Sequence, residues 1–352
     1  MPVPCYFYHQ ALEDEFKAIF QALQKRRIRT QTISDVLEES PSTARSVILS
    51  FDDGWSSVWS IAFPLAERYD ARFTLFVCPE LIHDGDTCRS TLDDGEHPAV
   101  LNQRDRGAKP MLNWAEIRAM HASGRVDIQS HTSNHGVVFA SDNLKGFAQP
   151  DGPFPLNGMT PCILRADGED KFFSRLPPGT PIYDWEPALA SGTRYLDCER
   201  TREQCVRLVS ENGGSEFFRR NDWKKQLTEI CRDAPGPAWE SDDERALRLR
   251  RDLQAAKTSI EAKLDGKQIR VVAPPWALMH PDFPRIAAET GHDLVVLGYP
   301  FPTASIQSDL PVFPRLYGDS IWALIYGPFL GGVGWLRARK RAMARVAAGA
   351  IP

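Results

Sequence analysis

A chain of 352 residues, 42% hydrophobic and 25% charged, has an ordinary globular composition, with material for one large domain or two modest ones. Lys and Arg number 42 against 46 Asp and Glu, so the formal charge is −4, which argues against a general nucleic-acid binder. Seven cysteines form no C-x-x-C pair, no basic-then-apolar leader opens the chain and no apolar run approaches ~20 residues; zinc-ribbon, disulfide-framework and membrane-spanning readings are disfavoured, and a cytoplasmic compartment is expected.

Cys5–Tyr8 reads as a short apolar strand, followed by a helix over Leu12–Lys25 with Phe16, Ile19, Phe20 and Leu23 on one face. Val47–Leu49 with Phe51 is a buried strand, Ser56–Tyr69 a helix and Phe73–Cys78 the next strand. Asn113, with Glu116 three residues on, has the pattern of a capping box opening a helix that runs to Ser123, and Val126–Ser130 is then a strand. Later come a charged amphipathic helix over Glu244–Leu264, a strand at Ile269–Ala273, a helix at Phe283–Glu289 and a strand at Leu294–Leu297. Strand–helix alternation of this kind implies an α/β protein with a mainly parallel sheet or a barrel. The rhythm breaks from Val137 to about Ser241, a Pro- and Gly-rich stretch without clear strand periodicity and with short helical pieces near Arg202–Val209 and Asp222–Cys231. A stretch of this length inside a domain is expected to be an insertion, partly helical and lying over an active site.

Two short segments carry chemistry. Ser50-Phe51-Asp52-Asp53-Gly54 directly follows one predicted strand, and His131-Thr132-Ser133-Asn134-His135 directly follows another. Residues just past the carboxyl ends of parallel strands converge on one face. Two imidazoles four residues apart can reach a single ion, and a carboxylate from the other strand end completes a set with a position open for water. The adjacent carboxylate is then available as a base. Each piece alone is weak, since Asp-Asp-Gly is a common turn and recurs at Asp93-Asp94-Gly95. Together, each behind its own strand, they are specific.

At these residues the sequence resembles the polysaccharide deacetylases, the NodB-homology or carbohydrate esterase family 4 group. The family's T-F-D-D-G motif corresponds to Ser50–Gly54 and its H-[ST]-x-x-H motif to His131–His135. Its third motif, R-P-P-Y-G or A-Y-P-Y-G, corresponds to Ala273-Pro274-Pro275-Trp276-Ala277. The resemblance implies a distorted (β/α) barrel of fewer than eight regular units over 1–319, interrupted by the long insertion 137–241 and followed by a separate segment, 320–352. It makes Asp52 the general base, and Asp53, His131 and His135 the ligands of one divalent ion, with zinc expected and cobalt, nickel or manganese also suited. It gives Trp276, with Pro275, to the oxyanion and substrate. The implied activity is metal-dependent release of acetate from an N-acetylated amino sugar of a polysaccharide or glycoconjugate. The alternatives are deacetylation or deformylation of a lipid-linked sugar or small amide, and an inactive carbohydrate-binding relative.

Two departures stand out. The arginine that often orients the base is replaced by Ala273, and the late L-x-H motif has no counterpart, because no histidine follows His292. His280, His9, or Asp52 acting in both directions could each protonate the leaving group. Finally, 320–336 holds no charged residue and is rich in aliphatic and aromatic side chains, and Arg337, Arg339, Lys340, Arg341 and Arg345 follow. This composition suits either an interfacial segment over 320–345 at the inner face of a membrane or an apolar closure of the barrel floor with a solvated tail.

Overall fold

The computed structural model describes residues 3–38, 45–150, 163–164, 170–171, 176–298 and 310–326. The chain divides into two compact units, one made of Met1–Thr132, Ala255–Ala273 and Gly291–Pro352, the other of Ser133–Gln254 and Pro274–Thr290.

The first unit is a closed parallel barrel ringed by helices. Its strands are β1 (Cys5–Tyr8), β2 (Arg29–Gln31), β3 (Ser46–Phe51), β4 (Phe73–Val77), β5 (Val126–Ser130), β12 (Val271–Val272), β13 (Leu294–Gly298) and β14 (Val312–Tyr317), numbered in chain order with the strands of the second unit falling between Ser130 and Val271. The order runs β1-β14-β13-β12-β5-β4-β3, and β1 pairs with β3 to close the ring, with β2 attached to the start of β3. All these pairings are parallel.

Alternation along each strand decides what faces where. Val47, Leu49 and Phe51 of β3 pack with Phe16, Ile19, Phe20 and Leu23 of helix α1 (Glu13–Lys25), the stripe expected from the sequence. Ile48 instead joins Cys5, Phe76, Val271, Ala273 and Val296 in a separate cluster on the other side of the wall. Helix α2 spans Ile33–Glu38. The predicted Ser56–Tyr69 helix is a π turn over Val58–Ala62 running into α3 (Phe63–Arg68). Pro64 has no N–H to give the preceding turn, which explains a change of helical register there. After α4 (Pro98–Arg104), α5 (Trp114–Ala122) starts on the capping box expected of it: Asn113 accepts from the Glu116 N–H and Glu116 accepts from the Asn113 N–H. The predicted strand at Ile269–Ala273 shrinks to Val271–Val272.

Helix α10 (Ile321–Tyr326) buries Ile321 and Ile325 in the core that surrounds the barrel, so the start of the predicted 320–345 segment is structural. Its continuation, 327–345, lies outside the described residues. No described helix is long and apolar enough to cross a membrane.

The second unit corrects the expectation of a strand-poor insertion. Strand β6 (Val137–Phe147) runs antiparallel to β9 (Pro181–Pro187), with register irregularities between Phe139 and Gly146. Those irregularities break the period-two alternation and hide the strand from sequence reading. Two-residue antiparallel pairs join β7 (Ile163–Leu164) to β8 (Asp170–Lys171) and β10 (Tyr195–Leu196) to β11 (Ala238–Trp239). Helices α6 (Glu199–Glu211) and α7 (Trp223–Arg232) bury Cys205, Val209 and Leu227 against Phe147 and Phe217. Most of α8 (Asp242–Lys263) and all of α9 (Phe283–Glu289) also belong to this unit.

Candidate metal centre and base

Asp52 is the first residue beyond β3, and its N–H still donates to the Tyr8 carbonyl (2.9 Å). Strand parity puts it on the same side as Ile48 and Ser50. The chain then turns sharply through Asp53 (φ 69°) and Gly54 (φ 96°). At φ 96° Gly54 holds a conformation that residues with a Cβ rarely adopt, and a Cβ there would also stand 2.8 Å from the tip of the Ile82 side chain, so glycine suits this turn. The turn fixes Asp53: its Oδ2 accepts from the Trp55 indole N–H (2.9 Å), and its Oδ1 lies 3.3 Å from His131 Nε2.

His131 extends β5 in the same manner, its N–H donating to the Val77 carbonyl (2.9 Å). Its Nδ1 lies 2.7 Å from the Ala273 carbonyl, which can only accept, so Nδ1 carries the proton and Nε2 is left as a donor atom for a metal. In the loop that follows, Ser133 is tied by its N–H and its hydroxyl to Asp252 of α8. Thr132 (φ 67°) and His135 (φ 59°) lie in the left-handed region, as do Trp276 (φ 62°) and Ala277 (φ 54°) of the third motif. Such conformations cost about 1–3 kcal/mol each and gather at functional sites. Here they coincide with all three sequence motifs.

Asp53, His131 and His135 are all buried, and one ligand atom from each lies within 4.8 Å of the others. The donor set fits a divalent cation: two imidazoles, one with its tautomer fixed by a carbonyl, and a carboxylate whose second oxygen is held by an indole. Burial disfavours the charged form of His131, yet the Asp52 and Asp53 carboxylates prevail and hold its pKa above the ordinary value. The local field therefore favours positive charge at this place.

Sequence reading missed the cation that serves Asp52. Arg315 of β14 is fully buried and grips the carboxylate with both terminal nitrogens, at 2.6 and 2.9 Å. Its guanidinium lies against the rings of Phe7 and Phe76, 4.9 and 5.0 Å from their centroids. Burial would raise the Asp52 carboxyl, but Arg315, helped by His131 and His9, holds it below the usual carboxylate range. Asp52 is thus ionised at neutral pH. The position where the third motif often has arginine is Ala273, and it serves through its backbone instead, orienting His131. An arginine inside the strand-like run Val312-Phe313-Pro314-Arg315-Leu316-Tyr317 was the available signal, since a buried charge needs a partner.

Pro275 is buried, and the Trp276 ring, 38% exposed, lies 5.3 Å from that of His135. Of the two histidines considered for protonation, His280 accepts from the Asp282 N–H through Nδ1 at the start of α9, the part of a turn histidine. His9 is exposed, directly follows β1, and its charge acts on Asp52.

Residues 39–148, which contain the first two motifs, match the family model described as polysaccharide deacetylase. No curated protein matches the chain. Among solved structures the chain is similar to the deacetylase domain of BpsB from Bordetella bronchiseptica, at 16% identity and TM-score 0.52 over 90% of this chain and 95% of that one. It is similar too to a de-N-acetylase from Aggregatibacter actinomycetemcomitans (15%, TM-score 0.51, covering 89% and 94%) and to IcaB from Ammonifex degensii (15%, TM-score 0.50, covering 92% and 96%). At such identity these structures speak to the fold, and the motifs speak to the family. The chain thus has the closed parallel barrel of these structures, with its Asp-Asp and His-x-x-x-His motifs behind the expected strands, and over 39–148 it is similar to the polysaccharide deacetylases.

Proposed function

We propose that this protein is a metal-dependent N-deacetylase that releases acetate from an N-acetylated amino sugar of a glycan or glycoconjugate. The observation that carries the reading is the ligand triad Asp53, His131 and His135 together with a buried, ionised carboxylate next in sequence, Asp52. Zinc is the ion expected, since two imidazoles and a carboxylate with one position open form one of its catalytic sets, and cobalt, nickel or manganese would suit the same donors. When bound, the ion lowers the pKa of a water and polarises the amide carbonyl.

The chain's own groups do the rest. Asp52 takes the proton as water attacks, and Arg315 keeps it ionised and oriented for that task. The peptide N–H of Trp276, set by Pro275, donates to the oxyanion. His9, beyond the end of β1 and able to act on Asp52 through its charge, protonates the departing amine. The alternative of an inactive relative draws on the missing arginine of the third motif and the missing late histidine; Arg315 answers the first, and the second is answered only by the role proposed for His9.

The test is acetate release from N-acetylglucosamine oligomers and from lipid-linked N-acetyl sugars by metal-loaded protein, with a chelated control. Release that disappears on chelation and returns with zinc is expected, and no release from either class refutes the reading. We also propose peripheral contact of 327–345 with anionic lipid at the inner face of a membrane, on the strength of the basic residues Arg337 to Arg345. Co-sedimentation with anionic vesicles should then be lost in a chain ending at Tyr326, and a full chain that stays in solution at low salt refutes it.

A further inference from the structure

We propose that Cys205 of α6 and Cys231 of α7 form a redox-active dithiol, which hydrogen peroxide closes into an intramolecular disulfide that staples the helix pair of the second unit. Their Sγ atoms lie 3.9 Å apart. Cys5 and Cys78, by contrast, face oxygen atoms, the Ser50 hydroxyl and the His131 carbonyl. The dithiol is independent of the reaction at the metal centre, since neither cysteine belongs to a motif or to the ligand set.

The spacing of the two helices brings the thiols together. Cys205 and Val209 are four residues apart on α6, and so are Leu227 and Cys231 on α7, so each helix presents one thiol and one aliphatic side chain on the same face. These faces meet in a small core with Phe147 and Phe217, where Cys205 is fully buried and Cys231 half-buried. Gly179 brings the chain so close to α6 that a Cβ there would stand 2.9 Å from the Cys205 carbonyl oxygen, so the helix has little room to shift at this turn. A core of this size stabilises little by itself, and there a covalent link adds most. Phe147 is the last residue of β6, and Cys231 hydrogen-bonds the Tyr183 hydroxyl of β9. The staple therefore secures both strands of the β6–β9 ladder, which starts two residues after His135.

The two thiols are not equivalent. Hydrogen bonds from Cys205 and from the Tyr183 hydroxyl outweigh burial and hold the Cys231 thiol below its ordinary range, whereas Cys205, bonded to Cys231 and buried, is pushed up. Cys231 is also the more accessible, so its sulfur reacts first. It attacks one oxygen of the peroxide: an S–O bond forms, the O–O bond breaks, and the released hydroxide takes the thiol proton to become water. The Cys205 sulfur then attacks the Cys231 sulfenic acid. An S–S bond forms, the S–O bond breaks, and hydroxide leaves with the Cys205 proton as a second water. The pair of thiols is oxidised by two electrons, and one peroxide is reduced to two waters.

Full-length protein, reduced with dithiothreitol and then freed of it, is treated with one equivalent of hydrogen peroxide, alkylated under denaturing conditions and digested for mass spectrometry. A peptide linked through Cys205 and Cys231 should dominate and should vanish on reduction. The oxidised protein should unfold at a thermal midpoint about 5–10 °C above the reduced one. Cys231→Ser should show neither the link nor the rise, and Cys205→Ala should accumulate a sulfenic acid at Cys231 that dimedone traps. Oxidation of wild type that falls on the exposed Cys88 and leaves Cys205 and Cys231 unlinked overturns the dithiol, whatever the variants do. A linked protein with an unchanged midpoint overturns the staple. Dimedone trapping on Cys205 in Cys231→Ser, with none on Cys231 in Cys205→Ala, overturns the order of attack.

Discussion

Replacing Arg315 by methionine removes one charge from a buried pair and leaves Asp52 with none of its bidentate partner. The two groups meet at 2.6 and 2.9 Å with side chains 2% and 4% exposed, so solvent does little screening. Unit charges about 4 Å apart at an effective dielectric near 20 interact by about 4 kcal/mol, and breaking a buried pair from one side costs about 3–5 kcal/mol. The expected loss for Arg315→Met is therefore about 3–5 kcal/mol at pH 7, read from urea unfolding of chelated protein so that metal binding does not enter. The pH dependence distinguishes this cause from a packing defect. In the wild type the Asp52 carboxyl sits below its ordinary value, so its stabilisation is fully present above the unfolded pKa of about 3.9 and is lost as pH falls through the lower folded value. Without Arg315 burial dominates and raises the carboxyl, so the cost is greatest at high pH and is relieved as the group takes up a proton. The gap between variant and wild type should narrow between pH 7 and about 5, and the acid limb of kcat/KM should move to higher pH. The double variant Arg315→Met/Asp52→Asn, which removes both charges, should recover much of the lost stability. An Arg315→Met protein within about 1 kcal/mol of wild type at pH 7, with its acid limb unmoved, would refute the pairing argument.

The other predictions concern neighbouring parts of the same centre. His131→Ala and His135→Ala should each lose bound metal, measured by elemental analysis after dialysis, with far-ultraviolet circular dichroism unchanged; full metal occupancy in either sinks the ligand assignment. Trp55→Phe removes the N–H that holds Asp53 Oδ2 and should weaken metal affinity about 10- to 100-fold in chelator competition, while a change below twofold means the indole is only packing. His9→Gln should lower kcat by about 10²–10⁴ with bound metal unchanged, and a variant within a few-fold of wild type returns the proton-donor role to another group.

The parts of the barrel that could be read from sequence are those where one local pattern and one tertiary demand agree. The Phe16, Ile19, Phe20 and Leu23 stripe of α1, the Asn113–Glu116 capping box and the apolar runs of β3, β4 and β5 are all of this kind. Strand β2 is three residues, Arg-Thr-Gln, with no apolar signal, and it exists because β3 offers an edge to pair with. Strand β14 defeats sequence rules more thoroughly. Proline argues against a strand with neighbours on both sides, yet Pro314 lies in one that pairs with both β1 and β13. Tertiary closure of the barrel outweighs local preference there, since without β14 the ring β1-β14-β13 has a gap.

The same strand explains why Asp52 could be singled out from its motif and its partner could not. Asp52 belongs to a compact pattern, whereas Arg315 is separated from it by 263 positions in the chain. In a closed parallel barrel every strand delivers its last inward residues to one end, so sequence distance carries no information about which strand will supply a charge. The requirement is instead positional: a guanidinium on the same side as Ser50 and Asp52, close enough for two hydrogen bonds. Arg315 meets it, and one of its nitrogens also lies 3.3 Å from the Ser50 hydroxyl. With the cation supplied by β14, the third motif is released to present only backbone. Ala273 then gives a carbonyl to His131, a task any residue's main chain performs, which is why alanine can stand there while Asp52 keeps its cation.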